Sequence, residues 1–317
     1  MSYYAGIDLG GTKIAAGIFD TERGALIAHD VIPTRSHEGI DAVVGAMAGI
    51  VRSLAASTGV TLTGVGVGIP GVIDYERGVT LLIPNLPGNW FERPIRAELQ
   101  TALNLPIALI NDARAFTLAE ATQGAGRGGT VVACFTLGTG IGGGLALNGR
   151  IHWGLKAAAG EFGHQIVEPD GAPCGCGGHG CLEAHASGYA LTALGVQALT
   201  TEPDGLIAQI AHGDPAAVTP QVIMQAAERG DAAAIAMLHR VGTYIGIGVA
   251  NILTILSADK VILGGGLTQL GAWLFDPIWA TVRARCHTVP LEQVTITQAA
   301  LGQQAGVIGA AIWASQQ

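Results

Sequence analysis

The chain has 317 residues, of which 49% are hydrophobic and only 13% charged, with a formal net charge of −8. This length suggests two domains of ordinary size, and a charge content well under the ~25% typical of soluble domains means large cores, with Gly and Ala taking much of the polar surface. The acidic balance with no Lys/Arg run argues against nucleic acid, and an apolar strand starting almost at once, without a basic n-region or cleavage site, leaves no signal peptide expected.

Residues 4–9 form an apolar run carrying Asp8, Gly10-Gly11-Thr12 turns the chain, and residues 13–20 return as a second strand. No G-x-x-x-x-G-K-[ST] is present and no helix follows, so this is not a P-loop. Asp8, Gly10, Gly11, Thr12 and Lys13 together offer a metal-facing carboxylate, free N–H groups, a hydroxyl and a cation, a set suited to a nucleotide's terminal phosphates. A plain hairpin turn is the competing reading. A helix is expected over 39–57, where Ile40, Val43, Val44, Met47, Ile50, Val51 and Leu54 keep helical spacing and Gly59 ends the run. Residues 65–69 read as a strand closed by Pro70-Gly71, residues 84–90 as a loop, and Pro94 as the first position of a short helix. Residues 107–110 form a buried strand ending at Asn111-Asp112, just before a helix running to about 122. Ligands bind at the C-terminal ends of strands in open α/β sheets. Helix capping by either residue is the alternative, and on position alone the favoured one.

The hairpin recurs: residues 131–137, the turn Gly138-Thr139-Gly140, then residues 141–147. Two matching hairpins imply two halves built alike with a cleft between them, unless the Gly-rich turns are alike by chance. Glycine occurs 48 times, about twice the usual ~7%, and clusters in loops after strands, which points to backbone contacts with ligands.

Residues 160–183 organise the rest of the chain. Gly160-Glu161-Phe162-Gly163-His164 is followed by a turn at Pro169-Asp170-Gly171 and then by Cys174-Gly-Cys176-Gly-Gly-His179-Gly-Cys181-Leu182-Glu183. Three cysteines within eight positions and a histidine ten residues upstream suit tetrahedral zinc, with the intervening glycines allowing tight folding. His164, Cys174, Cys176 and Cys181 would leave no open position, so the metal is structural. Free thiols or a disulfide are the other readings, although Cys174 and Cys176 are too close for easy pairing. His179 is an alternative fourth ligand but is expected to face solvent. Glu161 and Glu183 bracket the knot, which can aim both into one pocket.

Beyond the knot, residues 190–256 read as helical. The apolar segment 241–256 falls short of the ~20 residues that span a bilayer and reads as a buried helix, so no membrane contact is expected. Residues 261–263 form a strand, and Gly264-Gly265-Gly266 ahead of a helix makes a seat for a phosphate or nucleoside. A last strand covers 294–296 and a last helix 304–314. Five cysteines, three of them in a metal pattern, fit a reducing cytoplasm, with Cys134 and Cys286 as core residues.

Taken together, Asp8-Leu-Gly-Gly-Thr-Lys13, Gly68-Ile-Pro-Gly71, Asn111-Asp112-Ala113, Leu137-Gly-Thr-Gly-Ile-Gly-Gly-Gly144, Gly160-Glu-Phe-Gly-His164, the cysteine segment to Glu183, Ser187-Gly188 and Leu263-Gly-Gly-Gly266 resemble the ROK family of sugar kinases and sugar-responsive repressors, in family order across nearly the whole chain. The resemblance implies an α/β, actin-like (RNase-H-like) two-domain sugar kinase fold, with a cleft between the domains and a structural zinc knot. Residues 1–112 plus 303–317 would form one domain, and 113–302, with the zinc segment 160–183, the other. The last helix would pack back on the N-terminal domain. Family kinases commonly read Asn-Asp-Ala-Asn where Arg114 stands here; on the first helical turn it would alter only the pocket rim.

The resemblance further implies an ATP-dependent hexose kinase, a phosphotransferase acting on the 6-hydroxyl, with a pattern closer to the glucose-specific members than to the fructose-specific ones. Kinases of N-acetylmannosamine or N-acetylglucosamine are the alternative. Asp112 would be the general base, Asn111 would hold a neighbouring hydroxyl, Glu161, His164 and Glu183 would grip the sugar, and Gly71 would supply a backbone contact. Asp8 would orient Mg²⁺, Thr12, Lys13, Thr139 and Gly140 would surround the ATP phosphates, and Gly265 and Gly266 the nucleoside. A repressor is disfavoured because such members resemble this chain but carry an added N-terminal helix-turn-helix, whereas this sequence starts at the hairpin. The expected state is a cytoplasmic homodimer or homotetramer.

Overall fold

The structure is a computed structural model describing residues 2–83 and 86–317; Pro84 and Asn85 of the expected 84–90 loop lie outside the described residues. The chain divides into two compact units. The first holds the described residues up to Gly128, together with Gly149–Ile151 and Ala300–Gln317; the second holds Gly129–Asn148 and His152–Ala299. The dividing points fall at 128 and 300, where the sequence suggested 112 and 303.

In the first unit, β1 (Tyr3–Leu9), β2 (Lys13–Asp20), β3 (Ala25–Pro33), β4 (Leu62–Ile69) and β7 (Ile107–Asn111) make one sheet in the order β3-β2-β1-β4-β7. β1 pairs antiparallel with β2 and parallel with β4, and β4 parallel with β7. Every residue of β7 is buried, as a parallel strand covered on both faces must be. β3 was not expected; it is an edge strand whose mostly exposed residues hide its pattern. β5 (Val72–Asp74) and β6 (Val79–Leu82) form a separate small ribbon. Helix α1 (Ile40–Thr58) lays Val43, Met47, Val51 and Leu54 into the core and ends at Gly59, whose left-handed φ of 67° suits glycine. Pro94 sits just before α2 (Ile95–Leu103) rather than at its first position.

Helix α3 (Asp112–Thr122) follows β7 without a break, and α10 (Ala305–Ser315) packs against β1, β4 and α3. Glycines make that packing possible. A Cβ on Gly66 of β4 would lie 1.7 Å from the Ala310 carbonyl oxygen, and one on Gly309 would lie 1.7 Å from that of Ala115. The helix therefore rests on bare backbone. We expect Gly66→Val to push α10 off the sheet and destabilise the protein by at least ~3 kcal/mol in urea unfolding. Gly45→Ala, on an exposed face of α1 where a Cβ meets nothing within 4 Å, should instead stabilise by ~0.5–1 kcal/mol.

The second unit repeats the strand plan. β8 (Val131–Leu137) pairs antiparallel with β9 (Ile141–Leu147) and parallel with β11 (Lys260–Gly264), which pairs parallel with β12 (Thr295–Gln298). β10 is the two-residue strand Arg150–Ile151, which falls in the first unit. The expected helical stretch over 190–256 is broken into α5 (Gly188–Thr201), α6 (Leu206–Ile210), α7 (Pro220–Glu228) and α8 (Ala232–Leu256), after the short α4 (Leu182–Ala186). Ser187, Thr219 and Asp231 cap α5, α7 and α8 with side-chain oxygens. Helix α9 (Ala272–Arg285) lies against α8. At 25 residues α8 exceeds the length read from 241–256 and, with α1, is long and apolar enough to cross a membrane. Its apolarity has a core use here: Leu238, Val241, Ile245, Val249 and Leu253 are buried among Phe135, Leu182 and Ile278.

Candidate active site

In the first unit, strand register sets the candidate residues at one edge of the sheet. Asp8 of β1 lies opposite Gly68 of β4, and Ile69 lies opposite Asn111 of β7. The Gly10-Gly11-Thr12 turn closes with a hydrogen bond from Gly10 N to Lys13 O at 2.9 Å, and the buried Thr34 hydroxyl donates to Gly10 O at 2.7 Å. Thr12 and Lys13 are exposed at its tip. The Lys13 ammonium donates to Gln303 Oε1 at 2.8 Å, and a Cβ on Gly306 would meet the Asp8 carboxyl carbon at 2.6 Å. The start of α10 thus abuts the hairpin. Residues 303–306 escaped sequence reasoning because nearly 300 positions separate them from the turn.

Asn111 is the N-cap of α3. Its Oδ1 accepts from the backbone N–H groups of Ala113 at 3.1 Å and Arg114 at 3.3 Å, and its Nδ2 donates to Gly71 O at 3.1 Å. Its own N–H donates to Tyr75 Oη at 3.2 Å. Asn111 therefore fixes the start of the helix, and Asp112, the first helical residue, inherits a set orientation. Gly71, at φ 87°, is tied to the same cap.

Asp112 is half-buried, and burial raises its pKa; the Ala113 N–H and the Arg114 charge oppose the rise. Asp8 is raised to about 6, first by burial, then by the negative charge of Asp112, with Lys13 pulling the other way. Two carboxylates that raise one another's cost of ionising are a natural seat for a divalent cation. Arg114 is corrected from its expected rim position. It is buried, 4% exposed, because α3 is enclosed throughout residues 113–121 and has no rim-facing side.

In the second unit, close backbone crossings aim the acids. A Cβ on Gly163 would lie 1.9 Å from Ile141 O, and one on Gly143 would lie 2.6 Å from Gly160 O. The Gly160–Gly163 stretch thus crosses glycine-rich β9 at backbone contact, delivering Glu161 and His164 to fixed places. Glu183 accepts from Ile141 N at 2.8 Å, just beyond the Thr139-Gly140 turn. Gly188 N donates to Gly138 O at 2.8 Å and Tyr189 N to Thr139 O at 3.1 Å, so the start of α5 straps that turn. Gly265, at φ 91°, brings its backbone against Leu137 at the end of β8, where a Cβ would meet Leu137 O at 2.4 Å. Gly266 opens a five-residue 3-10 helix, Gly266–Leu270, which comes between the glycines and α9.

His164, Cys174, Cys176 and Cys181 converge, with one donor atom from each all within 4.8 Å of one another. Cys176 and Cys181 sulfurs are 3.6 Å apart, and Cys174 Sγ is 3.7 Å from His164 Nδ1. A tetrahedral site with ~2.3 Å Zn–S bonds has edges of ~3.7 Å, so spacing and donor chemistry both fit zinc. All five cysteines are free thiols. His179 is exposed and outside the cluster. With Nδ1 on the cysteine side, the His164 ring presents Nε2 away from it.

The ROK family model matches residues 4–317. The chain is 34% identical to the glucokinase of Streptomyces coelicolor over 98% of this chain and 97% of that protein. Among solved structures it is similar to a ROK hexokinase from Thermus thermophilus, at 35% identity and a TM-score of 0.86 over 99% and 98% of the two chains. It is also similar to a ROK family glucokinase from Streptomyces griseus in complex with glucose and AMPPNP, at 32% identity and a TM-score of 0.82 over both whole chains.

Proposed function

The chain belongs to the ROK family, and from that premise we propose that it is an ATP-dependent glucokinase that phosphorylates the 6-hydroxyl of glucose. The carrying observation is Asp112, set by the Asn111 cap at the head of α3 and electrostatically coupled to Asp8. A base beside a metal-binding carboxylate is what phosphoryl transfer to an alcohol needs; sugar binding alone needs neither.

In this reading Asp112 accepts the proton of the 6-hydroxyl as that oxygen bonds to the γ-phosphorus. The bond from the γ-phosphorus to its bridging oxygen breaks, and ADP leaves with the electron pair. The transition state is loose and the proton leaves late, so orientation of the hydroxyl counts for more than base strength. Asp8 would hold Mg²⁺, which would neutralise charge on the phosphates. The Gly10-Gly11-Thr12-Lys13 and Thr139-Gly140 turns bind the phosphates, and Gly265-Gly266 the nucleoside. Glu161, Glu183 and His164 bind the sugar hydroxyls, with Gly71 adding a backbone contact. Asn111, whose side chain is tied to Gly71 O and to the Asp112 carboxylate, would hold a neighbouring sugar hydroxyl beside the base.

His164, Cys174, Cys176 and Cys181 would hold zinc, which when bound fixes the His164 tautomer and ring direction. The doubled plan of antiparallel hairpin plus parallel strands supports the actin-like, RNase-H-like assignment of each unit. Free thiols fit the cytoplasm, and a homodimer or homotetramer is the state the family resemblance implies.

The test is ADP release, by a coupled assay, on glucose, mannose, fructose, N-acetylglucosamine and N-acetylmannosamine. Glucose should give the highest kcat/KM. A higher value for an N-acetylhexosamine would replace the substrate and keep the chemistry; no ADP with any sugar would remove the kinase.

A further inference from the structure

The cysteine knot is fastened to the core of its unit by side chains that no ligand motif contains. Residues 166–168 run beside 180–181: Val167 N donates to Gly180 O at 2.9 Å, and Ile166 bridges Cys181. The backbones touch so closely that a Cβ on Gly180 would lie 1.7 Å from Glu168 O. Whatever holds Glu168 therefore holds the residue next to Cys181.

Glu168 is held by α8. The Tyr244 hydroxyl donates to Glu168 Oε2 at 2.6 Å, and His185 Nδ1 lies 3.5 Å from the same oxygen. The imidazole of His185 is buried and stacks on the Tyr244 ring, with centroids 4.7 Å apart at 25°; the Arg240 guanidinium covers that ring at 5.5 Å. His185 stands on α4, one turn beyond Cys181 and two residues beyond Glu183. A Cβ on Gly171 would lie 2.4 Å from His185 Nε2, so the loop ahead of Cys174 rests on this ring as well. Burial and the Glu168 hydrogen bond push the Tyr244 phenol above its usual pKa, which keeps it a donor.

We infer that Tyr244, Glu168 and His185 form a latch that sets the cysteine knot against α8, making them positioning residues for zinc and, through His164, for the sugar. The inference rests on the zinc reading above. A charge-assisted bond of this kind is strong for its size, and outer partners of metal ligands typically govern affinity by 10–100-fold. In Tyr244→Phe the ring still stacks on His185, but Glu168 loses its donor. In Glu168→Gln an acceptor for Tyr244 remains while the charge facing His185 is gone.

The experiment uses the purified full chain with its metal, measuring metal content, zinc release to a chromogenic chelator well below the urea midpoint, and glucose kinetics. Tyr244→Phe should release zinc ~10-fold faster and raise the glucose KM several-fold, with kcat within twofold; Glu168→Gln should fall between it and the parent. Ile255→Val, on the same helix as Tyr244 but at a residue 75% exposed, should match the parent. Parent-like zinc release and KM in both Tyr244→Phe and Glu168→Gln would overturn the latch and leave the zinc reading intact. A parent protein without zinc would overturn both. Faster release from a chain that phosphorylates no sugar would support the latch and remove only the kinase.

Discussion

Asp112→Asn should lower kcat by ~10³-fold or more while the glucose Kd, measured by calorimetry, stays within about threefold. The substitution keeps the shape of the side chain and removes its basicity. The substitution also spares the helix start: Asn111 Oδ1 takes the Ala113 and Arg114 N–H groups, and the contact from Ala113 N to Asp112 Oδ1 at 2.8 Å is one that an asparagine Oδ1 can keep. A helix-capping role for Asp112 would instead show as a lower urea midpoint with modest loss of turnover. Burial raises the Asp112 pKa, so the acid limb of the parent's kcat–pH profile should lie above the ordinary carboxylate value of 3.8. Below that limb the base is protonated and turnover falls; above it the base is ready. A variant retaining a tenth of parental kcat would take Asp112 out of the role.

Cys176→Ser should lose bound zinc and raise the glucose KM ~10-fold or more, with a smaller fall in kcat. Cys176 Sγ is 3.6 Å from Cys181 Sγ, and a serine hydroxyl neither reaches as far nor ionises as a thiolate does. Three donors would remain, and the ring of His164, 3.7 Å from Cys174 Sγ through Nδ1, would no longer be fixed by a common metal. Glu183 would feel the change too, since its Oε1 lies 3.9 Å from Cys174 Sγ while its Oε2 is tied to Ile141 N. Metal analysis beside steady-state kinetics checks this. Full zinc content and an unchanged KM would show that Cys176 is not a ligand.

The two changes separate the halves of the proposed chemistry. Loss of the base removes turnover and spares binding, whereas loss of the ligand removes binding and largely spares the base. A single folding defect would move both quantities together in both variants.

Much of the site was legible because its pieces are local. The metal donors His164, Cys174, Cys176 and Cys181 fall within 18 consecutive residues, and each phosphate turn is a short glycine-containing link between two strands. The strands at 13–20, 131–137 and 141–147 have the bounds that the sequence predicts, since apolar runs closed by glycine turns leave little choice of register. The illegible parts share a cause as well. β3 is an exposed edge strand with too weak an apolar signal, and the division into short helices over 190–231 depends on caps and turns inside an apolar stretch that reads as continuous.

By itself the sequence determined the chemistry on offer: which acids, thiols, imidazole and glycine turns are present, and which stand within a turn or two of one another. Only the tertiary structure decided how they are used. Packing made Asn111 the cap and left Asp112 beyond it, buried Arg114, set Gln303 against Lys13, and joined Tyr244 to Glu168 across 76 positions. Neighbours along the chain are held close by covalent geometry, so their pairing shows in their spacing. Partners far apart meet only when whole helices and sheets dock, and that depends on the combined burial of many side chains, which no short motif records.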